Sequence, residues 1–302
     1  MQPEAHGETD PSEILRRSIA NDRVHSSYLF TGAGDAPRET ALAFVRALGC
    51  EAQTGIACER CPACQRSTAG EEAIVLDGKG KKGPTYRHVG DHPDLLWVER
   101  GPEDTRVTIG QIRGVQAALR LGANEGGRRA AVIADAEWLN PQAQNALLRL
   151  LEEPPARTTL VLVSTRASAI IATIRSRSVR IRFVAEDTRR LRDPETPESV
   201  AQIVTTLDAL GRAPVGALLD FAEQYRGPRA PAAESVGELL DVASQWLAEE
   251  VKAQVERGET PPIRRLDAHR SLQQLRRDLI QRNANPQMVA ERLLLGLRDT
   301  VA

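Results

Sequence analysis

The sequence predicts an α/β domain built on a parallel sheet, followed by an all-α region. Three observations carry this. Short, fully apolar runs alternate with helix-spaced stretches as far as Phe183, the pattern of strands covered on both faces. Beyond a polar stretch at 184–198 that holds Pro194 and Pro197, only helical spacings remain. All four cysteines fall between Cys50 and Cys64, so a compact module interrupts the α/β pattern near its start.

Taken in order, residues 12–24 carry Ile14, Leu15, Ile19 and Val24 at helical intervals. Tyr28-Leu29-Phe30-Thr31 is a short apolar run that ends in Gly32-Ala33-Gly34, a buried strand entering a tight turn. A helix over 38–49 places Ala41, Leu42, Val45 and Leu48 on one face, and the cysteine cluster follows at once. Residues 70–90, with Gly78, Gly80, Gly83, Pro84 and three lysines, read as a solvated loop within a longer insertion at 65–91. Strands are expected at 94–99, 130–135, 159–164 and 179–183, with helices at 108–121, 141–152 and 168–174 between them. A parallel sheet gathers its functional groups at the carboxyl ends of its strands. That puts the Gly32 turn, Asp135 and Ser164-Thr165 on one rim. From 199 onward helices are expected at 199–210, 214–226, 235–257, 268–283 and 286–300, separated by Gly and Pro.

Composition narrows the function. At 302 residues the chain is long enough for two or three domains. Its 40 basic residues meet 41 acidic ones, for a net charge of −1, which argues against a protein that grips nucleic acid alone through a basic surface. Aromatics make up 3%, too few for a base-stacking platform. Only Lys79, Lys81, Lys82 and Lys252 are lysines, so arginine, the cation suited to forked contacts with phosphate, dominates the basic set. No apolar run approaches the roughly 18 residues of a membrane helix, and Met1–Pro11 lacks the basic start and apolar core of a signal peptide. A cytoplasmic chain without membrane contact is the expectation.

Three motifs bear on chemistry. Cys50-x7-Cys58-x2-Cys61-x2-Cys64 supplies four thiolates whose two-residue spacers turn successive sulfurs onto one ion. Structural zinc suits this set, an iron–sulfur cluster being the other metal chemistry and free thiols the metal-free alternative. The strand–turn–helix at Gly32–Thr40 stands where a phosphate loop would, yet Pro37, Arg38 and Glu39 occupy the places of its second glycine, lysine and hydroxyl. Pro37 removes an amide donor, and Asp35 and Glu39 bring negative charge, so the loop keeps its outline and loses its chemistry. Asp135 ends an apolar strand where a magnesium ligand would sit, or else caps a turn. Ala136 follows it, and Glu137 comes one residue too late, on the other side of an extended chain.

Tyr28-Leu29-Phe30, the cysteine module, His92-Pro93-Asp94-Leu95, the string Asn145-Ala146-Leu147-Leu148-Arg149-Leu150-Leu151-Glu152-Glu153-Pro154-Pro155 and Thr173-Ile174-Arg175-Ser176-Arg177-Ser178 occur in that order. Together they resemble the delta-prime subunits of the bacterial DNA polymerase III clamp loader, most closely over 25–183. Arg282-Asn283-Ala284-Asn285-Pro286 and the helix after it resemble that family's C-terminal collar. The resemblance implies an AAA+ P-loop-type α/β domain at 1–184 with a zinc module inserted at 50–64. It also implies a short all-α lid-like remnant at 185–230 and an all-α collar domain for oligomerisation at 231–302. It further implies a non-hydrolysing subunit of the DNA polymerase III holoenzyme, with Zn2+ at Cys50, Cys58, Cys61 and Cys64 and no ATP of its own. Its partners would be the tau/gamma motor subunits, the delta subunit, the sliding clamp and, through the assembled ring, primer–template DNA. Arg177 matches the arginine that such subunits extend toward a neighbour's ATP, although Ser178 stands where the family has cysteine. Ser164-Thr165 matches the position that senses bound nucleotide. The competing readings are a weakly active AAA+ ATPase and a zinc-containing DNA-binding module.

Overall fold

A computed structural model describes residues 10–32, 34–68, 74–79, 83–101, 103–123, 127–183, 191 and 196–301. The chain divides into two compact units, Met1–Glu186 and Asp187–Ala302. The lysines Lys81 and Lys82 and most of the stretch at 184–198 lie outside the described residues.

The first unit opens with α1 (Pro11–Ala20), capped by the Asp10 side chain, which accepts from the Ser12 N–H at 3.1 Å. It stops at Ala20, short of the expected residue 24, because Asp22 turns into the left-handed region at φ +50°. Then come β1 (Ser27–Thr31), α2 (Ala36–Gly49), α3 (Pro62–Arg66), β2 (Arg87–Val89), β3 (His92–Val98), α4 (Ile109–Leu119), β4 (Arg129–Ile133), α5 (Pro141–Glu152), β5 (Thr158–Ser164), α6 (Ala172–Arg175) and β6 (Val179–Arg182). The expected helix at 168–174 is thus a 3-10 turn at Ala167–Ala169 and a separate four-residue α6.

Six strands form one sheet in the order β2-β3-β4-β5-β1-β6. The pairings from β3 through β6 are all parallel. The edge strand β2 runs antiparallel to β3, so the sheet is mixed rather than wholly parallel, and the 65–91 insertion contains a strand as well as loop. Alternate residues feed two cores. Leu29, Leu96, Ile133 and Leu162 face one layer with α4 and α5, while Phe30, Trp97, Val132 and Val161 face another with α1 and α2. Pairing of Thr31 with Ser164 and of Ile133 with Leu162 brings the carboxyl ends of β1, β4 and β5 to a common rim.

The second unit contains α7 (Glu198–Ala209), α8 (Val215–Glu223), α9 (Arg229–Glu256), α10 (Ile263–Ile280) and α11 (Pro286–Val301). Helix α9 begins six residues ahead of the expected position 235, with Pro231 inside its first turn. A proline is tolerated there because the first N–H groups of a helix have no intrahelical partner. Trp246 of α9 donates its indole N–H to Asp208 of α7 at 2.7 Å. Arg229 donates to the Asn283 side chain at 2.9 Å and to the Ala284 carbonyl at 2.8 Å, holding the turn that leads into α11. Asn283 sits at φ +59°, which ends α10 before the expected residue 283.

Candidate metal centre and the rim of the sheet

The turn after β1 is packed by protein. A Cβ on Gly32 would stand 2.7 Å from the Phe183 Cβ and 2.8 Å from its carbonyl oxygen, so only glycine fits. Pro37, buried at the second position of α2, closes the same side. Asp35 caps α2 with its backbone alone, its carbonyl accepting from the N–H groups of Arg38 and Glu39 at 2.9 Å each. Glu39 is exposed on the first turn.

Arg38, at the place of the phosphate-binding lysine, is committed to acids of its own chain. Its guanidinium hydrogen-bonds the Glu99 carboxylate, and its Nη1 lies 3.7 Å from Asp135 Oδ1. It also stands over the Trp97 ring, 5.4 Å from the centroid. Arg87, contributed by the unforeseen strand β2, bonds Glu99 Oε1 at 3.1 Å and lies 5.3 Å from the same ring. The Trp97 indole N–H completes the set on Glu99 Oε2 at 2.8 Å. Asp135 accepts the backbone N–H of Arg100 at 2.8 Å, while the Arg100 guanidinium packs 4.1 Å over the Trp138 ring. Glu99 and Asp135 are only 17% and 19% exposed. Charges this sheltered are screened little. Both carboxylates of the rim are thus already paired with arginines of the same chain, and a phosphate or magnesium ion arriving here would compete with ion pairs already formed.

Glu137 does not follow an extended path. Ala136–Trp138 form a 3-10 turn that tucks the carboxyl inside. Burial pushes it above its usual range, the Asp135 carboxylate adds to this, and the N–H groups of Glu137 itself and Thr165 draw it partly back. Ser164 donates its hydroxyl to the Arg166 carbonyl at 2.9 Å, so the sensor-like position makes a local turn bond.

The four cysteines come together. Cys50 is the residue after α2, Cys61 caps α3, and the ligand atoms of Cys50, Cys58, Cys61 and Cys64 all lie within 4.8 Å of one another. The Cys58 and Cys64 sulfurs are 4.0 Å apart, close to the edge of about 3.8 Å that a tetrahedron with 2.3 Å Zn–S bonds requires. Cys58 accepts the Cys61 N–H, and Cys61 accepts the Cys64 N–H, both at 3.4 Å. Backbone donors from Arg60 and Cys61 lower the Cys58 thiol to about 6, whereas burial pushes Cys64 up to about 12. A divalent cation resolves that conflict, because it pays for deprotonating the buried sulfur. The donor set thus fits structural zinc, with no side chain left over to activate water. Gly55, at φ +93°, lets the module lie against α1, since a Cβ there would fall 2.3 Å from the Arg16 carbonyl oxygen.

Arg177 stands in the turn after α6. Its side chain is 39% exposed, with Nη2 3.1 Å from Glu152 Oε1 and Nη1 donating to the Thr173 carbonyl at 3.1 Å. Ser178 donates to the Ile174 carbonyl at 3.0 Å and meets Ser27 Oγ at 2.8 Å, so the hydroxyl ties this turn to the base of β1. Gln144, buried in α5, donates to the Leu139 and Ala169 carbonyls at 3.1 and 3.2 Å and accepts the Ile171 N–H at 2.9 Å, bracing the approach to α6. Sequence reasoning missed Glu99, Arg87 and Gln144. Only the last left a signal, as a polar residue one position after Ala143 and three before Leu147 on the buried side of α5.

Fold and site define an α/β protein with a mixed six-stranded sheet, an ion-paired cluster at the carboxyl rim of its strands, and a four-cysteine centre after the far end of α2. Comparison with known proteins agrees. A family model described as "DNA polymerase III, delta subunit" matches residues 7–187. DNA polymerase III subunit delta' of Pseudomonas aeruginosa is 30% identical over 234 residues, covering 75% of this chain and 65% of that protein. Subunit delta' of Bacillus subtilis is 27% identical over 172 residues, covering 57% of this chain and 46% of that protein. DNA polymerase III subunit tau of Salmonella typhimurium is 26% identical over 231 residues, covering 72% of this chain and 32% of that one. The chain belongs to the delta-prime-type family of DNA polymerase III clamp-loader subunits. It spans 65% and 46% of the lengths of the two delta' relatives. Among the described residues, no helix is long and apolar enough to cross a membrane.

Proposed function

We propose that the chain works as the non-hydrolysing delta-prime member of a clamp loader, a ring that spends ATP on neighbouring subunits to open the sliding clamp and place it on primed DNA. Its first unit is then an AAA+ module that binds no nucleotide, carries structural zinc at Cys50, Cys58, Cys61 and Cys64, and extends Arg177 toward the ATP of an adjacent tau/gamma subunit. A planar cation beside the γ-phosphate offsets charge as the bond breaks. In this reading 185–230 is a short lid and 231–302 a collar that joins the ring, although the boundary between them falls inside α9. The delta subunit, the clamp and primer–template DNA are the remaining partners, and the compartment is the cytoplasm.

The observation that carries the reading is the Arg38–Glu99–Asp135 network, which supports a rim without work for a nucleotide. Titration of the isolated chain with a fluorescent ATP analogue tests it. No micromolar binding is expected, and binding with turnover would restore the ATPase reading. Tight, salt-sensitive capture of primed DNA by the isolated chain would instead favour the DNA-binding module. For the arginine, Arg177→Ala should leave assembly intact. It should also silence the one ATP site it serves, because such groups supply about 10³–10⁵ in rate. Unchanged DNA-stimulated ATPase in the reconstituted complex would remove the assignment.

A further inference from the structure

We infer that Glu152 is a positioning residue for Arg177: it parks the guanidinium on the chain's own surface until an anion on a neighbouring molecule takes it over. The inference rests on the reading of Arg177 as a group that acts in trans. The backbone of the Arg177 turn is fixed. The Arg177 N–H donates to the Ile174 carbonyl at 3.0 Å, and Ser178 bonds both Ile174 and Ser27. Any reorientation therefore belongs to the side chain alone. That side chain is held at two points within the chain, by Glu152 Oε1 and by the Thr173 carbonyl.

Glu152 is the last residue of α5. A carboxylate at a helix C-terminus adds to the negative end of the helix dipole and is disfavoured unless a cation answers it. Arg177 provides that answer from a separate element. Both partners are open to solvent, at 39% and 51% exposure, and exposed pairs of this kind are weak. A phosphate brought within reach on a neighbour offers the guanidinium charge-assisted, bidentate bonds, so it competes with this weak, solvent-open Glu152 contact and the exchange is reversible. Glu152 thus sets the threshold at which Arg177 commits to a neighbour.

The test uses the fully reconstituted complex with DNA, with ATP titrated at low and high salt. Glu152→Gln removes the charge while keeping the shape. It should lower the half-saturating ATP concentration roughly two- to five-fold at low salt, and the difference should shrink at high salt as screening weakens the wild-type pair. Glu152→Asp, which keeps the charge, should return the value toward wild type. In an Arg177→Ala background Glu152→Gln should change nothing further. If Arg177→Ala silences its site while Glu152→Gln matches wild type at low salt, or raises the half-saturating concentration, parking is wrong and the trans role of Arg177 survives. If Arg177→Ala leaves the ATPase unchanged, the trans role itself is wrong.

Discussion

Glu137 shows how burial changes the chemistry of a carboxyl group. Its carboxyl is buried near Asp135, and that burial raises its affinity for a proton. The folded state therefore binds its proton more tightly than the unfolded chain, whose glutamate titrates near 4.3. Above that pH the unfolded state releases the proton first, so folding stability falls as pH rises toward the folded value. Glu137→Gln keeps the acceptor for the Thr165 N–H and removes this linkage. The variant should gain melting temperature over wild type at pH 7.5 and lose the gain near pH 4, by roughly 1.4 kcal/mol for each unit of upward shift. A gap that stays constant between the two pH values would show that the fold does not raise the carboxyl's affinity for a proton. Asp135, two residues earlier, is partly exposed and paired with Arg38 and Arg100.

At the scale of elements, His92-Pro93-Asp94 is a joint between strands. Asp94 pairs with Arg129 of β4 at 2.9 Å, both buried, and Arg129 also donates to the Ala118 carbonyl near the end of α4. Removing one partner of such a pair leaves a buried charge unanswered, at about 3–5 kcal/mol. Asp94→Ala should lower the unfolding free energy by that amount in chemical denaturation, and a loss under 1 kcal/mol would place the pair's weight elsewhere. The parallel strands inside the sheet were legible because they are apolar on both faces, as Leu29 and Phe30 illustrate by entering different cores, whereas the edge strand β6 exposes Arg180 and Arg182. Strand β2 was hidden because Arg87-His88-Val89 buries only Val89 fully and owes its form to pairing with β3. The cysteine centre was legible from spacing alone, since a short loop leaves its sulfurs little freedom. The ion network was not, because Arg38, Arg87, Glu99 and Asp135 come from four separate strand ends and helix starts. No local pattern announces their meeting.

For the molecule as a whole, the metal centre and the division into two units belong to the same account. The cysteine loop carries almost no apolar core beyond Ala63 and its own buried sulfurs, so a zinc ion held by the four thiolates would supply much of its order. Metal analysis should find about one zinc per chain, as a four-thiolate site requires. Chelation should expose 50–68 to protease while the helices of the second unit stay protected. Iron in the purified protein, or an equally protected loop in its metal-free form, would overturn the assignment.

The three tryptophans are divided between the units. Trp97 and Trp138 lie under arginines in the first, and Trp246 is bonded to Asp208 in the second. The chain thereby carries its own optical labels. With Trp246 replaced by phenylalanine, tryptophan emission, excited beyond the tyrosine band, comes from the first unit alone, and the difference from wild type isolates the helical unit. Each half can then be followed through assembly by its own light, without any dye attached.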